Sequence, residues 1–159
     1  HDHYRQALHF HGEHRMNDKS FMHSVLPVIR WIDDSQEQRE RPIIYIGTET
    51  LADSYNKPTS SMAKAIRMLI EHYQVYFVAP SPSSDAAEYA VTTDWLTQYV
   101  GVPAWGHTVF TNQRHLLYGD YLIAREKTPD TMATLLEYGS DTFKTWEEVI
   151  EYFSRLGGQ

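Results

Sequence analysis

The stretch Arg41–Asp53, RPIIYIGTETLAD, constrains the fold of this chain more than any other. Within it, Ile43 to Ile46 is a short β-branched and aromatic run, introduced by Pro42 and closed by Gly47 and Thr48. Apolar residues at successive positions, with no alternation, read as a strand buried on both faces. An amphipathic stretch and a second apolar run, VYFVAP, come next, which is the rhythm of a βαβ unit. In open α/β sheets the loops at the carboxyl ends of the strands form the site. Chemistry is therefore sought at 47–53, at 80–84 and at the ends of later strands.

The alternation continues beyond this unit. A helix is expected from about Ser61 to His72, with Met62, Ile66, Leu69 and Ile70 on its apolar face and Thr59 or Ser60 as its cap. The second strand is Val75–Ala79, followed by the loop PSPSSD. Ser84 or Asp85 can cap a helix over Ala86–Val100, whose expected inward face is Tyr89, Trp95, Leu96 and Tyr99. Gly101 and Pro103 stop it. Strands are expected at 107–110, 121–124 and 134–139. A last helix starts after Thr145, buries Trp146, Val149, Ile150 and Phe153, and ends at Gly157. Strands spaced by helices predict a three-layer, Rossmann-like parallel sheet over residues 41–159.

Residues 1–40 differ in character. Six of the nine histidines lie between His1 and His23. The segment 21–32 carries Phe21, Met22, Val25, Leu26, Val28, Ile29, Trp31 and Ile32 around Pro27, and reads as one or two short packed helices. A charged connector, DDSQEQRERP, joins it to the first strand. The run HFHGEH (9–14) lacks the H-E-x-x-H spacing that sets two imidazoles on one helix face, so a surface histidine cluster is expected and no metal site.

At 159 residues the chain supports one domain with a substantial core. Its net charge of −7 argues against a general nucleic-acid or anionic-membrane surface. The absence of cysteine excludes disulfides, thiolate zinc sites and a cysteine nucleophile, and fits a reducing, cytoplasmic setting. No signal peptide is visible, and no apolar run reaches the ~18 residues of a spanning helix.

Three runs together, VYFVAPSPSSDAAEYAVTTDWLTQYVG, VFTNQRHLLYGDYLIARE and LLEYGSDTFKTWEEVIEYF, with the LAD of residues 51–53, resemble the 5′(3′)-deoxyribonucleotidases of the haloacid dehalogenase-like superfamily. The resemblance spans about Pro42 to Phe153. It implies that superfamily's three-layer α/β fold, here with the helical cap after the first motif reduced or absent and an N-terminal helical segment added. The family's first motif has the form D-x-D-G-V-L-A-D. Anchored on Leu51-Ala52-Asp53, its nucleophile falls on Ile46, its acid/base on Thr48 and its glycine on Glu49. The Ser or Thr of the second motif falls on Pro80, beside Ser81, and the third-motif lysine falls on Arg114. The paired magnesium-binding aspartates fall on Ala124 and Arg125.

Transfer through an aspartyl-phosphate needs a carboxylate nucleophile, a proton donor and charge neutralisation by metal and cation. Ile46 cannot attack phosphorus, Thr48 is no acid near neutral pH, and Arg125 brings positive charge to a metal position. The expectation is therefore a catalytically degenerate nucleotidase-like domain with no cofactor. It would act as a phosphate- or nucleotide-binding module through Thr48, Ser81, Ser83, Ser84 and Arg114, or as a protein-interaction module or homo-oligomer through the N-terminal segment. The competing expectation is a magnesium-dependent phosphatase on small phosphorylated substrates that uses a displaced carboxylate, Glu49, Asp53 or Asp120. A third is a purely structural subunit. For the single residues the plainer expectations are that Arg114 and Arg125 pair with acids such as Asp120 and Glu126, that Asp53 and Asp120 stabilise turns, and that Glu49 lies on a solvated loop. Trp105 is read as an exposed contact residue.

Overall fold

A computed structural model describes residues 39–157. The histidine cluster, the apolar segment 21–32 and the side chain of Trp105 lie outside what is described. Five strands form one all-parallel sheet: β1 (Ile43–Gly47), β2 (Gln74–Ala79), β3 (Thr108–Phe110), β4 (Tyr121–Ala124) and β5 (Thr134–Glu137). Their spatial order is β3-β2-β1-β4-β5. β1 is central, with Ile46 level with Phe77 of β2 and Ile123 of β4. Because β1 leads towards β2 on one side and β4 towards β5 on the other, the connections diverge between β1 and β4. That divergence opens the crevice in which such sheets bind ligands.

From β1 onward the described residues form three α-helices: α1 (Met62–Ile70), α2 (Ala87–Tyr99) and α3 (Trp146–Leu156). Helix α1 buries Met62, Ala65, Ile66, Leu69 and Ile70, a single stripe at helical spacing. Its start departs from expectation. Ser61 precedes it in the left-handed region (φ 64°), and no side chain caps it. Thr59 is drawn away because its hydroxyl donates to the carbonyls of Thr50 and Leu51, 3.2 Å from each. At α2 the carboxylate of Asp85 accepts from the amide of Ala87 at 2.9 Å, as a cap does. Tyr89, expected inward, is exposed and meets Phe110 edge-on, while Leu96 and Thr97 are the buried residues of that helix. Helix α3 opens on a capping box, in which the Thr145 hydroxyl accepts from the Glu147 amide and Glu148 reaches back to the Thr145 amide.

The three helices share one face. Their buried residues join Ile44, Ile46, Val75, Phe77, Ile123 and Leu136 in a single core cluster. Strand alternation turns Tyr45, Tyr76, Leu122 and Leu135 to the opposite face, where Leu122, Ala124 and Ala133 make a small second cluster with Tyr45 and Leu135 against it. No helix among the described residues covers that face. The connections 111–120 and 125–133 are irregular chain with bends and one 3-10 turn, Arg114–Leu116, and Gly119 and Ala133 lie against this face. The expected three layers are therefore two layers and a loop cover among the described residues. The physical reason is that neither connection carries a periodic apolar stripe long enough for a helix.

Trp146 holds the site loop to this frame. It is fully buried, and its indole nitrogen donates to the Thr50 carbonyl and to the Thr59 hydroxyl, 3.2 Å from each. The first residue of α3 thereby clamps the segment that leaves β1. Trp146→Phe should cost about 1–2 kcal/mol through the lost donor, and Trp146→Ala about 3–5 kcal/mol through the cavity as well. Urea denaturation of both variants, with unchanged m-value, checks this ordering.

Candidate functional site

β1 ends at Gly47, and the chain turns at once through a 3-10 turn, Thr48–Thr50. The buried Thr50 hydroxyl closes that turn by donating to the Gly47 carbonyl at 2.8 Å. The turn lifts Glu49 over the carboxyl ends of the strands. There its carboxylate meets the guanidinium of Arg114 in a two-point pairing, Nη1 to Oε2 at 2.8 Å and Nη2 to Oε1 at 2.7 Å. Arg125, next after β4, donates its amide to Oε2 at 3.2 Å and its Nε to the Glu49 carbonyl at 3.0 Å. The Arg125 guanidinium lies over the Tyr138 ring, 5.0 Å from its centre. Arg114 also approaches the Val78 carbonyl at the end of β2, at 3.4 Å. One carboxylate therefore ties the exits of β1, β2 and β4 to the β3–β4 connection.

The electrostatics follow from this geometry. Burial pushes the Glu49 carboxyl up, but the hydrogen bond and charge of Arg114, its own backbone and the Arg125 amide outweigh burial and hold it below the ordinary value. Arg114 is held further above its already high value, chiefly by its hydrogen bond to Glu49. Glu49 is thus no solvated loop residue, and Arg114 pairs with it rather than with Asp120. The glycine before it matters too. A Cβ at Gly47 would fall on the Glu49 carboxylate as it is placed, so any other residue there would oblige that side chain to shift.

Beside this clasp lies a cavity of about 670 Å³, bounded by the exits of β1 and β2, the loop 52–56 and α2. Pro80, Val91, Trp95 and Leu96 supply its apolar lining, Thr48, Ser54, Asn56 and Thr92 its neutral polar groups, and Glu49, Asp53 and Arg125 its charge. The Trp95 indole donates to the Asn56 carbonyl at 3.0 Å and pins the loop to the helix. Nothing in the sequence pattern marked Trp95 or Thr92 as wall residues, because an aromatic at helical spacing reads as core.

The sequence-derived positions separate into those at the crevice and those away from it. Ile46 and Ala124 are fully buried in the sheet. Thr48, Pro80 and Arg125 line the crevice. Ser81 is engaged with Asn112, its amide donating at 3.1 Å and its carbonyl accepting at 3.3 Å, whereas Ser83 and Ser84 are exposed. None of the three serines lines the crevice, and Arg114 lies behind Glu49. Asp53 folds its own turn, accepting from the amides of Tyr55 and Lys57 at 2.9 Å each. Asp120 sits at the opposite, amino end of the sheet, where it accepts from the Ile43 amide at 2.8 Å. Among the described residues no three His, Asp or Glu side chains gather as a metal-binding group. No described helix is long and apolar enough to cross a membrane.

Compared with known proteins, the sequence matches no family model and no curated relative.

The lowered Glu49 value sets a pH dependence. Its contribution to stability is complete above the ordinary glutamate range near ~4.3, and is lost as pH falls through the lower folded-state value. Glu49→Gln should cost about 1–2 kcal/mol at pH 7, as a charge-assisted pairing only partly shielded from water does. It should also flatten the acid limb of stability. Urea denaturation of parent and variant between pH 7 and pH 3 tests both points.

Proposed function

We propose that this is a catalytically degenerate, nucleotidase-like binding domain, in which the strand-end crevice holds a small ligand without hydrolysing it. The observation that carries the reading is the state of the carboxylate nearest the strand ends. Glu49 is neutralised by Arg114 through two hydrogen bonds, which leaves it neither a free nucleophile nor a proton donor. The residue on the nucleophile position of the resemblance, Ile46, is an apolar side chain in the core. Thr48 and Arg125, on the acid/base and magnesium positions, both face the crevice but bring no carboxylate to it.

The strand order supports the haloacid dehalogenase-like resemblance at the level of architecture, since β1 is flanked by β2 and β4 and the crevice opens at their carboxyl ends. The short loop between Asp53 and α1 supports the reduced cap. The lining favours a ligand with one apolar or aromatic part, set against Trp95 and Leu96, and a polar part towards Thr48 and Arg125. Nucleoside monophosphates combine these features and are the first class to examine. Their phosphate would be directed to Thr48 and Arg125, since Arg114 is taken up by Glu49.

Purified full chain should release no phosphate from p-nitrophenyl phosphate or from a panel of nucleoside monophosphates with Mg²⁺. In thermal-shift assays without metal, a subset of the same nucleotides should raise the midpoint, and Trp95→Ala should abolish the rise. Turnover that disappears in Glu49→Ala or Asp53→Ala would instead establish the phosphatase with a displaced carboxylate.

A further inference from the structure

A second cavity lies on the other side of Arg114 from the crevice, with which it shares no lining residue. It measures about 330 Å³ and sits between residues 112–115 of the β3–β4 connection and residues 127–130 of the β4–β5 connection. Arg114, His115 and Lys127 bring basic side chains to it, and Asp130 is the only acid in its lining. In a chain of net charge −7, basic groups gathered around one concavity depart from the composition of the whole. Concave sites with fixed charges of one sign concentrate ions of the other.

The basic groups differ in how they are engaged. Arg114 is held in place: its side chain is 19% exposed, and its two Nη atoms serve the Glu49 carboxylate and the Val78 carbonyl. None of these bonds uses Nε, which leaves that N–H as a donor. Lys127 and His115 are exposed. Glu126 and Asp130 stand close to Lys127 in sequence, yet neither Lys127 nor His115 forms an ion pair or a side-chain hydrogen bond with any described residue. Glu126 adds its charge at Arg114 but does not line the cavity. Glu49 already answers the charge of Arg114, so Lys127 is the cation left to meet an occupant, with Asp130 keeping the affinity modest.

We propose that this cavity binds a small tetrahedral oxyanion, either free phosphate or the phosphate group of a small ester. The Arg114 Nε, the Lys127 ammonium and the Thr128 hydroxyl are its donors. Donors carried on two separate connections suit a phosphate, whose oxygens accept in several directions at once, better than a planar carboxylate. A guanidinium already fixed by Glu49 loses little freedom on binding, and the flexible lysine closes on the anion as a point charge. The site uses none of the crevice residues, so it stands or falls apart from the nucleotide-binding reading.

The test follows the amide NMR signals of the isotopically labelled full chain as inorganic phosphate is added, against sodium chloride at equal ionic strength. Phosphate should give saturable shifts centred on the amides of 112–115 and 127–130, with a dissociation constant in the millimolar range. Lys127→Ala removes an exposed side chain that has no partner among the described residues, so its unfolding midpoint in chloride should match the parent. The same variant should bind phosphate about tenfold more weakly, the loss expected for one hydrogen bond to a charged group. Glycerol phosphate separates the two sources: tighter binding at the same amides assigns the site to an ester, and weaker binding assigns it to the free ion. Equal shifts with chloride alone would overturn the proposal, as would an affinity unchanged in Lys127→Ala. Shifts confined to 48–56 and 91–96 would overturn it in favour of the crevice.

Discussion

The pairing of Glu49 with Arg114 is the interaction on which the carboxyl end of the sheet depends. Strand ends of a parallel sheet are apolar ground, and an uncompensated charge there is costly. Two opposite charges brought together with both guanidinium donors used, a backbone amide on the same oxygen and a carbonyl behind the arginine are tolerated. The pairing reaches four segments at once: the turn after β1, the end of β2, the β3–β4 connection and the exit of β4. Trp146 completes the arrangement from the other side by fixing the carbonyl of Thr50. The crevice thus inherits its shape from a charge pair and one buried indole.

Much of this fold was legible in the residues, for reasons that can be located. β1 and β4 have the expected boundaries because a continuous apolar run admits few alternatives. β3 starts one residue late because the His107 ring bonds to the Val75 carbonyl at 2.8 Å and keeps that residue in the preceding 3-10 turn. β5 stops at Glu137, and Gly139, which follows the bridging residue Tyr138, takes φ 91° and turns the chain away. α1 begins within one residue of the expected Ser61, but Thr59, a good cap by composition, does not cap it because its hydroxyl is claimed by the carbonyls of the site loop. A capping residue can serve only one set of donors and acceptors, and sequence does not say which.

The candidate site was legible in position but not in state. The alternation of strands placed it at 47–53 and at the ends of β2 and β4, and the crevice lies there. What no local pattern contained was the partner of Glu49, since Arg114 stands sixty-five positions away. Sequence reasoning pairs a charge with near neighbours, here Asp120 and Glu126, and Glu126 does add its charge to the field at Arg114. The sheet order instead folds the β3–β4 connection back over the end of β1, and Asp120 ends at the opposite edge, on the amide of Ile43. Asp53 was readable because an aspartate that folds its own turn leaves a local signature.

Gly47 and Glu49 are coupled through the space they share. A Cβ at Gly47 would oblige the Glu49 carboxylate to shift from its present place, and Ile46 beside it is sealed in the core, where a carboxylate would be stranded without a partner. A carboxylate at either of these two positions would therefore disturb the arrangement that stabilises the neighbouring strands. The interlock that shapes the crevice thus also restricts which side chains the end of β1 can carry.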